Sequence, residues 1–317
     1  MKWLKQRKIV ALEDINIEWM QSHTQLPVPY VKQDGKIRLY FNSRLEGKTL
    51  PTFIDIDGSD MNIEYMNKNP LLEFGQAGTF DDSGVMVSSI IEHDKKLYMY
   101  YTGWNQMGGT VCYQLSMGLA ISEDGGSSFN KYSEGPIIGR SMSDPIFVAS
   151  PYVIKSMDRW IMYYVSCIRW IKGESKMEPV YQIKYAVSDD GIHWETDLNN
   201  VCIPAGINEA LAKPCVIKTK DKYLMWYSTR KTLDYRTNRK RSYRIGYAES
   251  QDGFKWVRKD KEVGIDVSDT GWDSEMIAYA NVIEQNDRYV MFYNGNGFGQ
   301  SGIGYATGDR KYFDAEI

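Results

Sequence analysis

Residues 96–104 read Lys-Leu-Tyr-Met-Tyr-Tyr-Thr-Gly-Trp, and the strand-like run Gly118-Leu-Ala-Ile-Ser122 and the turn Asp124-Gly125 follow. An apolar segment precedes this stretch, and a charged turn separates the two. The same order recurs around five aromatic pairs: Tyr40-Phe41, Tyr100-Tyr101, Tyr163-Tyr164, Trp226-Tyr227 and Phe292-Tyr293. Successive pairs are about sixty to sixty-six residues apart. That spacing is typical of a repeated supersecondary unit.

Each repeat predicts four antiparallel strands, and five such sheets arranged radially predict an all-β, five-bladed β-propeller. Because the repeat fills nearly all of the 317 residues, one closed domain is expected. The predicted blades span approximately residues 21–75, 76–142, 143–205, 206–266 and 267–317. Little chain follows Gly304, so residues 1–20 are the candidate for closing the last blade.

Composition excludes several classes of protein. The formal net charge is −3, and the only dense basic segment is Arg236 to Arg244, so no nucleic-acid partner is expected. No run approaches the length of a membrane span, and no secretory leader is recognisable. Four cysteines without metal-ligand spacing indicate free thiols in a reducing cytoplasm. No cofactor is expected, since no calcium loop or Walker-type phosphate loop occurs. The oligomeric state stays open.

The repeat also predicts where a site would form. Hairpin connections place the start of each first strand and the end of each second strand at the same end of the molecule. The first set of rim residues is His23-Thr-Gln25, Asp81-Asp82-Ser83, Ser143-Asp144-Pro145, Asn208-Glu209 and Asp273-Ser274-Glu275. The second set is Asn42-Ser43-Arg44, Thr102-Gly103-Trp104, Arg169-Trp170, Ser228-Thr229-Arg230 and Asn294-Gly-Asn296.

Acids at equivalent positions in four blades favour one shared site. Carboxylates, aromatic faces, guanidinium groups and amides on one rim suit a carbohydrate substrate. The residues predicted to bind it are His23, Gln25, Arg44, Asp81, Trp104, Arg230, Asp273 and Asn294. The alternative is that the acids hold turns and the tryptophans only pack.

These residues resemble the superfamily of five-bladed propellers that act on glycosides, including glycoside hydrolase families 43, 32, 68 and 130. Closer still, Gly78-Thr-Phe-Asp-Asp-Ser-Gly84, Tyr100-Tyr-Thr-Gly-Trp-Asn105 and Trp272-Asp-Ser-Glu-Met276 look like a bacterial glycosidase-like subgroup that often accompanies surface-polysaccharide genes. The resemblance implies a glycoside hydrolase or transglycosylase acting on a bacterial surface or capsular sugar. Blade one departs from the family pattern, because Val28-Pro29 stands where the family has Asp-Pro.

Glycosidic cleavage needs a carboxylic acid to protonate the leaving oxygen and a second group that attacks or activates water. The working assignment is Glu209 as acid, Asp82 as nucleophile or base and Asp144 as the tuning residue, with Glu275 as substitute for either of the first two. A phosphorylase or glycosyltransferase is the second reading, in which Arg44, Arg230 or Lys213 binds an anion. A non-catalytic glycan-binding propeller is the third.

Overall fold

The chain folds into antiparallel sheets, and the computed structural model describes residues 2–156 and 159–314. The strands in chain order are β1 (Trp3–Val10), β2 (Ser22–Val31), β3 (Ile37–Leu45), β4 (Lys48–Ile56), β5 (Ile63–Met66), β6 (Gly84–His93), β7 (Lys96–Gln106), β8 (Tyr113–Ser122), β9 (Asn130–Lys131), β10 (Phe147–Ser156), β11 (Arg159–Lys172), β12 (Met177–Ser188), β13 (Val201–Ile203), β14 (Glu209–Lys218), β15 (Tyr223–Lys231), β16 (Arg244–Ser250), β17 (Val257–Arg258), β18 (Ala278–Gln285), β19 (Arg288–Asn294) and β20 (Ile303–Asp309).

Helical structure is confined to short turns in the described residues. Two four-residue segments are α1 (Asn296–Gly299) and α2 (Lys311–Asp314). Three 3-10 turns are Leu12–Asp14, Arg239–Arg241 and Asp260–Glu262. None of the helices in the described ranges has the length and hydrophobicity needed to cross a membrane.

The strands group into four-stranded units, which we call blades 1 to 5. They are β2-β3-β4-β5, β6-β7-β8-β9, β10-β11-β12-β13, β14-β15-β16-β17 and β18-β19-β20-β1. Blades 1 and 2 are joined at one parallel bridge between Thr49 and Gly84. The first strands of the five blades contact one another in sequence, and β18 contacts β2 in turn. The expectation of an all-β chain of four-stranded, blade-like sheets is therefore confirmed.

The aromatic pairs explain how neighbouring blades pack. Successive side chains of a strand point to opposite faces, so the two members of a pair reach different neighbours. Each interface contains the first aromatic of one pair and the second aromatic of the next: Tyr40 with Tyr101, Tyr100 with Tyr164, Tyr163 with Tyr227, Trp226 with Tyr293, and Phe292 with Phe41. All ten side chains are buried. The repeat that is visible in the sequence is therefore the repeat of the core.

The N-terminal strand lies at the outer edge of the last blade. β1 pairs antiparallel with β20, and Trp3 of β1 is buried against Trp226 and Phe313. Residue 1, residues 157–158 and residues 315–317 of the predicted segments lie outside the described residues. The division into blades at the residue numbers given above stays a prediction.

Candidate active site

A cavity of about 820 Å³ opens at one end of the ring of first strands. All five blades contribute to its lining. Gln25, Met86, Ala149, Ala212 and Tyr279 come from the five first strands. The ends of second strands add residues such as Arg44 and Trp104, so the two sets of strand ends predicted from the hairpins do meet here.

Bulges in the first strands shape the cavity floor. Leu26, Ser150 and Tyr279 line the cavity, lie at register shifts, and have φ angles of 58°, 53° and 59°. A left-handed backbone at residues other than glycine costs about 1–3 kcal/mol, and a bulge turns side chains in a new direction. The neighbouring blade stabilises each bulge, because the three amides donate to Asn294 Oδ1, Thr102 Oγ1 and Ser228 Oγ, each at 2.8 Å.

Aromatic residues form much of the lining, which we call the aromatic wall. Its members are Tyr113, Phe147, Tyr181, Tyr235, Tyr243, Tyr279 and Phe298. All seven contact at least one other member, with ring centroids 5.6 to 6.1 Å apart. Aromatic faces of this kind pack against the apolar faces of sugar rings and offer hydroxyl groups at their edges.

Arg230 holds this wall from behind and does not line the cavity. Its guanidinium lies 3.7 Å from the ring centroid of Tyr235 and donates to the hydroxyls of Tyr243 at 3.1 Å and Tyr181 at 3.2 Å. Carbonyl oxygens, including that of Pro179 at 2.9 Å, accept its remaining protons. The prediction that Arg230 binds substrate is therefore corrected, because its side chain is buried and its donors are engaged.

A polar group faces the cavity from blade 1 and consists of His23, Gln25 and Arg44. Arg44 Nη2 donates to Gln25 Oε1 at 3.3 Å, and His23 Nδ1 lies 3.0 Å from Ser22 Oγ. Burial, together with the positive charge of Arg44, lowers the pKa of His23 to about 4. The imidazole is therefore neutral near pH 7. One of its ring nitrogens donates a hydrogen bond and the other accepts one.

A basic loop between β15 and β16 covers another part of the lining. Tyr235, Arg236 and Arg239 come from this loop. Arg236 Nε donates to Glu178 Oε1 at 3.3 Å, and Tyr235 donates to the other oxygen of Glu178 at 2.6 Å. The basic segment Arg236 to Arg244 therefore contributes directly to the cavity.

Glu275 is the one carboxylate among the described residues that line the cavity. Its side chain is exposed, and within the described part of the chain its carboxylate has neither a hydrogen bond nor an ion pair. Asn296 Oδ1 accepts from the amides of Glu275 at 2.7 Å and Met276 at 3.2 Å, which fixes the backbone beneath the side chain. Glu275 is thus held at the cavity with its oxygens free for a ligand.

The structure divides the predicted site residues into two groups. Five line the cavity: His23, Gln25, Arg44, Trp104 and Glu275. Seven do not: Glu209, Asp82, Asp144, Asp81, Arg230, Asp273 and Asn294. Of the recurrent acids, Glu275 alone lines this cavity in the described residues.

Three of the recurrent acids make the same structural contact inside their own blades. Asp81, Asp144 and Asp273 are buried, and each accepts from a tyrosine twenty residues later: Tyr101 at 3.1 Å, Tyr164 at 3.0 Å and Tyr293 at 3.0 Å. Each also pairs with a lysine of its own blade: Lys131 at 2.7 Å, Lys184 at 3.2 Å and Lys5 at 2.7 Å. These carboxylates therefore join strands within their own blades.

Glu209 is engaged in a similar way in blade 4. Arg258 donates to both of its oxygens, at 2.7 and 3.0 Å, and Thr229 donates at 2.7 Å. Desolvation raises the pKa of Glu209, but the hydrogen bonds from Arg258 and Thr229 outweigh it and leave the pKa below the usual value. A general acid must carry a proton near neutral pH, so this environment does not suit Glu209 as the acid.

Asp82 braces the loop that precedes β6. Its carboxylate accepts from the Gly78 amide at 2.9 Å, Ser83 Oγ at 2.7 Å and Asn105 Nδ2 at 2.9 Å. Desolvation raises the pKa of Asp82, yet these hydrogen bonds lower it further than desolvation raises it. The carboxylate is ionised and committed to the loop, outside the cavity lining.

Asn294 and Lys213 are inner-ring residues. Asn294 is buried, accepts from the Leu26 amide at 2.8 Å, and donates to the carbonyls of Thr24 at 2.6 Å and Gly302 at 3.0 Å. It therefore links blade 5 to blade 1 and does not bind substrate. Lys213 is also buried, and its Nζ donates to the Ser88 carbonyl at 2.7 Å. Of the three predicted anion ligands, only Arg44 lines the cavity.

In the described ranges, no group of three or more His, Cys, Asp or Glu residues is placed to hold a metal ion. The cavity's charged lining residues are three arginines, Arg44, Arg236 and Arg239, and one glutamate, Glu275. Its chemistry is thus cationic and aromatic, with a single carboxylate.

Two proteins of Mycobacterium tuberculosis, the uncharacterized proteins MT1551 and Rv1502, are each 34% identical to the chain over 314 residues. The match covers 97% of the chain and 99% of each relative. No family model matches the chain.

Solved structures of carbohydrate-active proteins superpose on nearly the whole chain. A glycoside hydrolase matches with a TM-score of 0.75 and 16% identity, covering 96% of the chain and 92% of its own. A thermostable family-43 glycoside hydrolase matches at 0.67 and 17%, covering 91% and 88%. The β-1,2-mannobiose phosphorylase of Listeria innocua matches at 0.71 and 11%, covering 98% of both chains. The chain shares their β-propeller-like fold, which confirms the resemblance stated from the sequence.

Proposed function

We propose that this chain, which belongs to the same protein family as the two mycobacterial proteins, is a five-bladed β-propeller that acts on glycosides. The observation that carries the proposal is the cavity itself. It combines an aromatic wall, a hydrogen-bonding group and one unengaged carboxylate at the end of the ring where the five blades meet. The shared fold with glycoside hydrolases and a phosphorylase adds support.

Glu275 is the residue to which we assign proton transfer to the glycosidic oxygen. A sugar ring that packs on the aromatic wall brings its linkage within the same cavity, and Glu275 is the only described lining residue with a carboxyl group. This assignment replaces Glu209 and Asp82, whose carboxylates are held by structural donors. The substrate class we propose is a bacterial surface or capsular carbohydrate, as the sequence resemblance implies.

A second function, phosphorolysis or glycosyl transfer, is favoured by a specific observation. Hydrolysis of glycosides ordinarily uses two carboxyl groups about 5–9.5 Å apart, whereas the described lining holds one carboxylate and three arginines. When phosphate or a nucleotide diphosphate is the other reactant, a single acid suffices. An incubation with and without inorganic phosphate separates this function from hydrolysis.

The test is product detection by mass spectrometry on bacterial surface oligosaccharides and nucleotide sugars. The wild-type protein is expected to form product, and Glu275→Gln is expected to lose about 10²- to 10⁴-fold in rate, the usual contribution of general acid–base catalysis. Glu209→Gln is the matched control, because it makes the same change outside the cavity. Glycan binding without product in all three proteins would instead identify a non-catalytic binding propeller.

A further inference from the structure

Arg44 is a half-buried cation without a counter-ion in the described structure. It lines the cavity from the end of β3, and its one side-chain hydrogen bond is the 3.3 Å contact with Gln25. Its Nε is buried and has no hydrogen-bond partner among the described residues. A buried donor left unsatisfied costs about 1–3 kcal/mol, and more on a charged group.

The guanidinium of Arg236 belongs to the lining of the same cavity as Arg44. Burial lowers the pKa of Arg44, Tyr279 opposes this change, and the positive charge of Arg236 adds to it, so the two cations repel each other. Arg236 is partly balanced by Glu178, which lies behind it and outside the lining. His23 beside Arg44 is neutral near pH 7 and adds no negative charge. An anion between the two guanidinium groups would remove the repulsion and accept hydrogen bonds from their terminal nitrogens.

We infer that the cavity binds a phosphoryl group between Arg44 and Arg236. A phosphoryl dianion matches two cations in charge and presents three acceptor oxygens, and the planar fork of arginine fits such oxygens in pairs. The inference rests on the proposed function, since it names the charged part of the reactants of the same site. The phosphoryl group can belong to inorganic phosphate or to a phosphorylated carbohydrate.

Direct binding tests the inference without need of a known substrate. Isothermal titration of the wild-type protein at pH 7.5 uses inorganic phosphate in one arm and a set of hexose 1-phosphates in the other. Arg44→Gln and Arg236→Gln are each expected to weaken phosphate binding at least about tenfold, the effect of losing one charge-assisted hydrogen bond. Arg288→Gln, an exposed arginine in the hairpin at the opposite end of blade 5, is the charge-matched control.

A test of folding, a charge-conserving variant and a pH series accompany the titrations. Thermal unfolding verifies that each variant is folded, and Arg44→Lys, which keeps the charge, is expected to recover part of the affinity. Wild-type affinity for a hexose 1-phosphate is expected to rise between about pH 5 and 7, as the second proton leaves the phosphate monoester near pH 6. Equal affinity in all folded variants, no binding by the wild type at millimolar ligand, or arginine-dependent binding of galacturonate in place of phosphate would overturn the inference.

The two arms distinguish the source of the phosphoryl group. Turnover that requires inorganic phosphate identifies it as a reactant, whereas tighter binding of a sugar phosphate with no effect of free phosphate places the group on the carbohydrate. Both results support the site. Carbohydrate turnover without any phosphate binding would defeat this inference alone, and phosphate binding without turnover of any carbohydrate would count only against the proposed function.

Discussion

Replacing Asp144 with alanine separates a structural role from the catalytic role that its sequence position implies. Asp144 is completely buried and accepts from Tyr164 at 3.0 Å and Lys184 at 3.2 Å. Lys184 is 1% exposed and has one further partner, the Ser143 carbonyl at 2.9 Å. Alanine at position 144 would leave a buried ammonium group without its carboxylate.

The expected cost follows from that arrangement. Removing one partner of a buried ion pair typically lowers the free energy of unfolding by about 3–5 kcal/mol, because the remaining charge is desolvated and uncompensated. A whole domain is stable by about 5–15 kcal/mol, so Asp144→Ala is expected to lose a large share of the stability. Replacing both residues, Asp144→Leu with Lys184→Leu, is expected to cost less than the sum of the single changes.

Urea unfolding monitored by tryptophan fluorescence measures these differences. Asp189→Ala is the control, because its carboxylate is 86% exposed and lies 3.4 Å from Arg159; a surface pair of this kind contributes about 0–1 kcal/mol. The reasoning is refuted if Asp144→Ala unfolds at the wild-type urea concentration. It is refuted more sharply if that stable variant also loses turnover, since Asp144 would then act on the reaction.

Three further changes are expected to have distinct effects. Glu209→Gln is expected to keep turnover within about threefold of wild type and to lose about 1 kcal/mol of stability, because its ion pair with Arg258 is partly exposed. Asn294→Ala is expected to lose about 2–4 kcal/mol, since it breaks three buried hydrogen bonds, two of which join blades 5 and 1. Between pH 6.5 and about 4, His23 is expected to lower wild-type stability by at most about 3 kcal/mol, and by less after solvent screening, because the unfolded chain takes up a proton that the buried His23 does not.

The matching measurements are turnover assays, urea unfolding and a pH series of unfolding midpoints. His23→Gln should flatten that pH series over the stated window, whereas His193→Gln, on an exposed turn, should leave it unchanged. An Asn294→Ala protein as stable as wild type would show that the inter-blade bonds contribute little. A Glu209→Gln protein that folds normally but loses turnover would return the acid role to Glu209.

The sequence predicted the blades because their core is itself periodic. An aromatic pair at a fixed place in the second strand is visible without any structure, and its two side chains pack against the blades on either side. Hairpin geometry also predicted correctly that the starts of first strands and the ends of second strands meet, as Gln25 and Arg44 do. Local rules of strand direction are sufficient for both results.

The cavity lining could be predicted only in part, because it depends on bulges and on loops without a period. The left-handed residues Leu26, Ser150 and Tyr279 share no residue type, so the sequence gives no sign of the bulges. Tyr243 and Arg236 come from a basic loop whose composition is typical of a solvated surface. The hydroxyl partners of Arg230 lie about fifty residues before it and thirteen residues after it in the chain, and no local pattern joins them.

One signal in the sequence would have corrected the acid assignment. In blades 2, 3 and 5 the acid precedes the second aromatic of its pair by twenty residues, and in each case that aromatic is a tyrosine that donates to it. Blade 1 has Phe41 at that position, which carries no hydroxyl, and Gln21 stands twenty residues earlier. In these three blades the acid stands where a buried hydroxyl needs an acceptor. In blade 4, where Ile207 stands twenty residues earlier, the Tyr227 hydroxyl donates to Asp260 instead.

The absence of an acid at position 21 of blade 1 therefore agrees with its packing, because Phe41 has no hydroxyl that needs an acceptor. Residues that recur once per blade serve what every blade shares, namely the burial of its own strands and of its neighbour's. Chemistry at the cavity requires groups that break the repeat, because the ligand touches each blade differently. Glu275 lies two residues beyond the repeated Asp273 and lines the cavity. Arg44 lines it from the end of β3, whereas the uncharged Trp104 does so from the end of β7, the corresponding strand of blade 2. The residues that depart from the periodic pattern are the ones on which the function should depend.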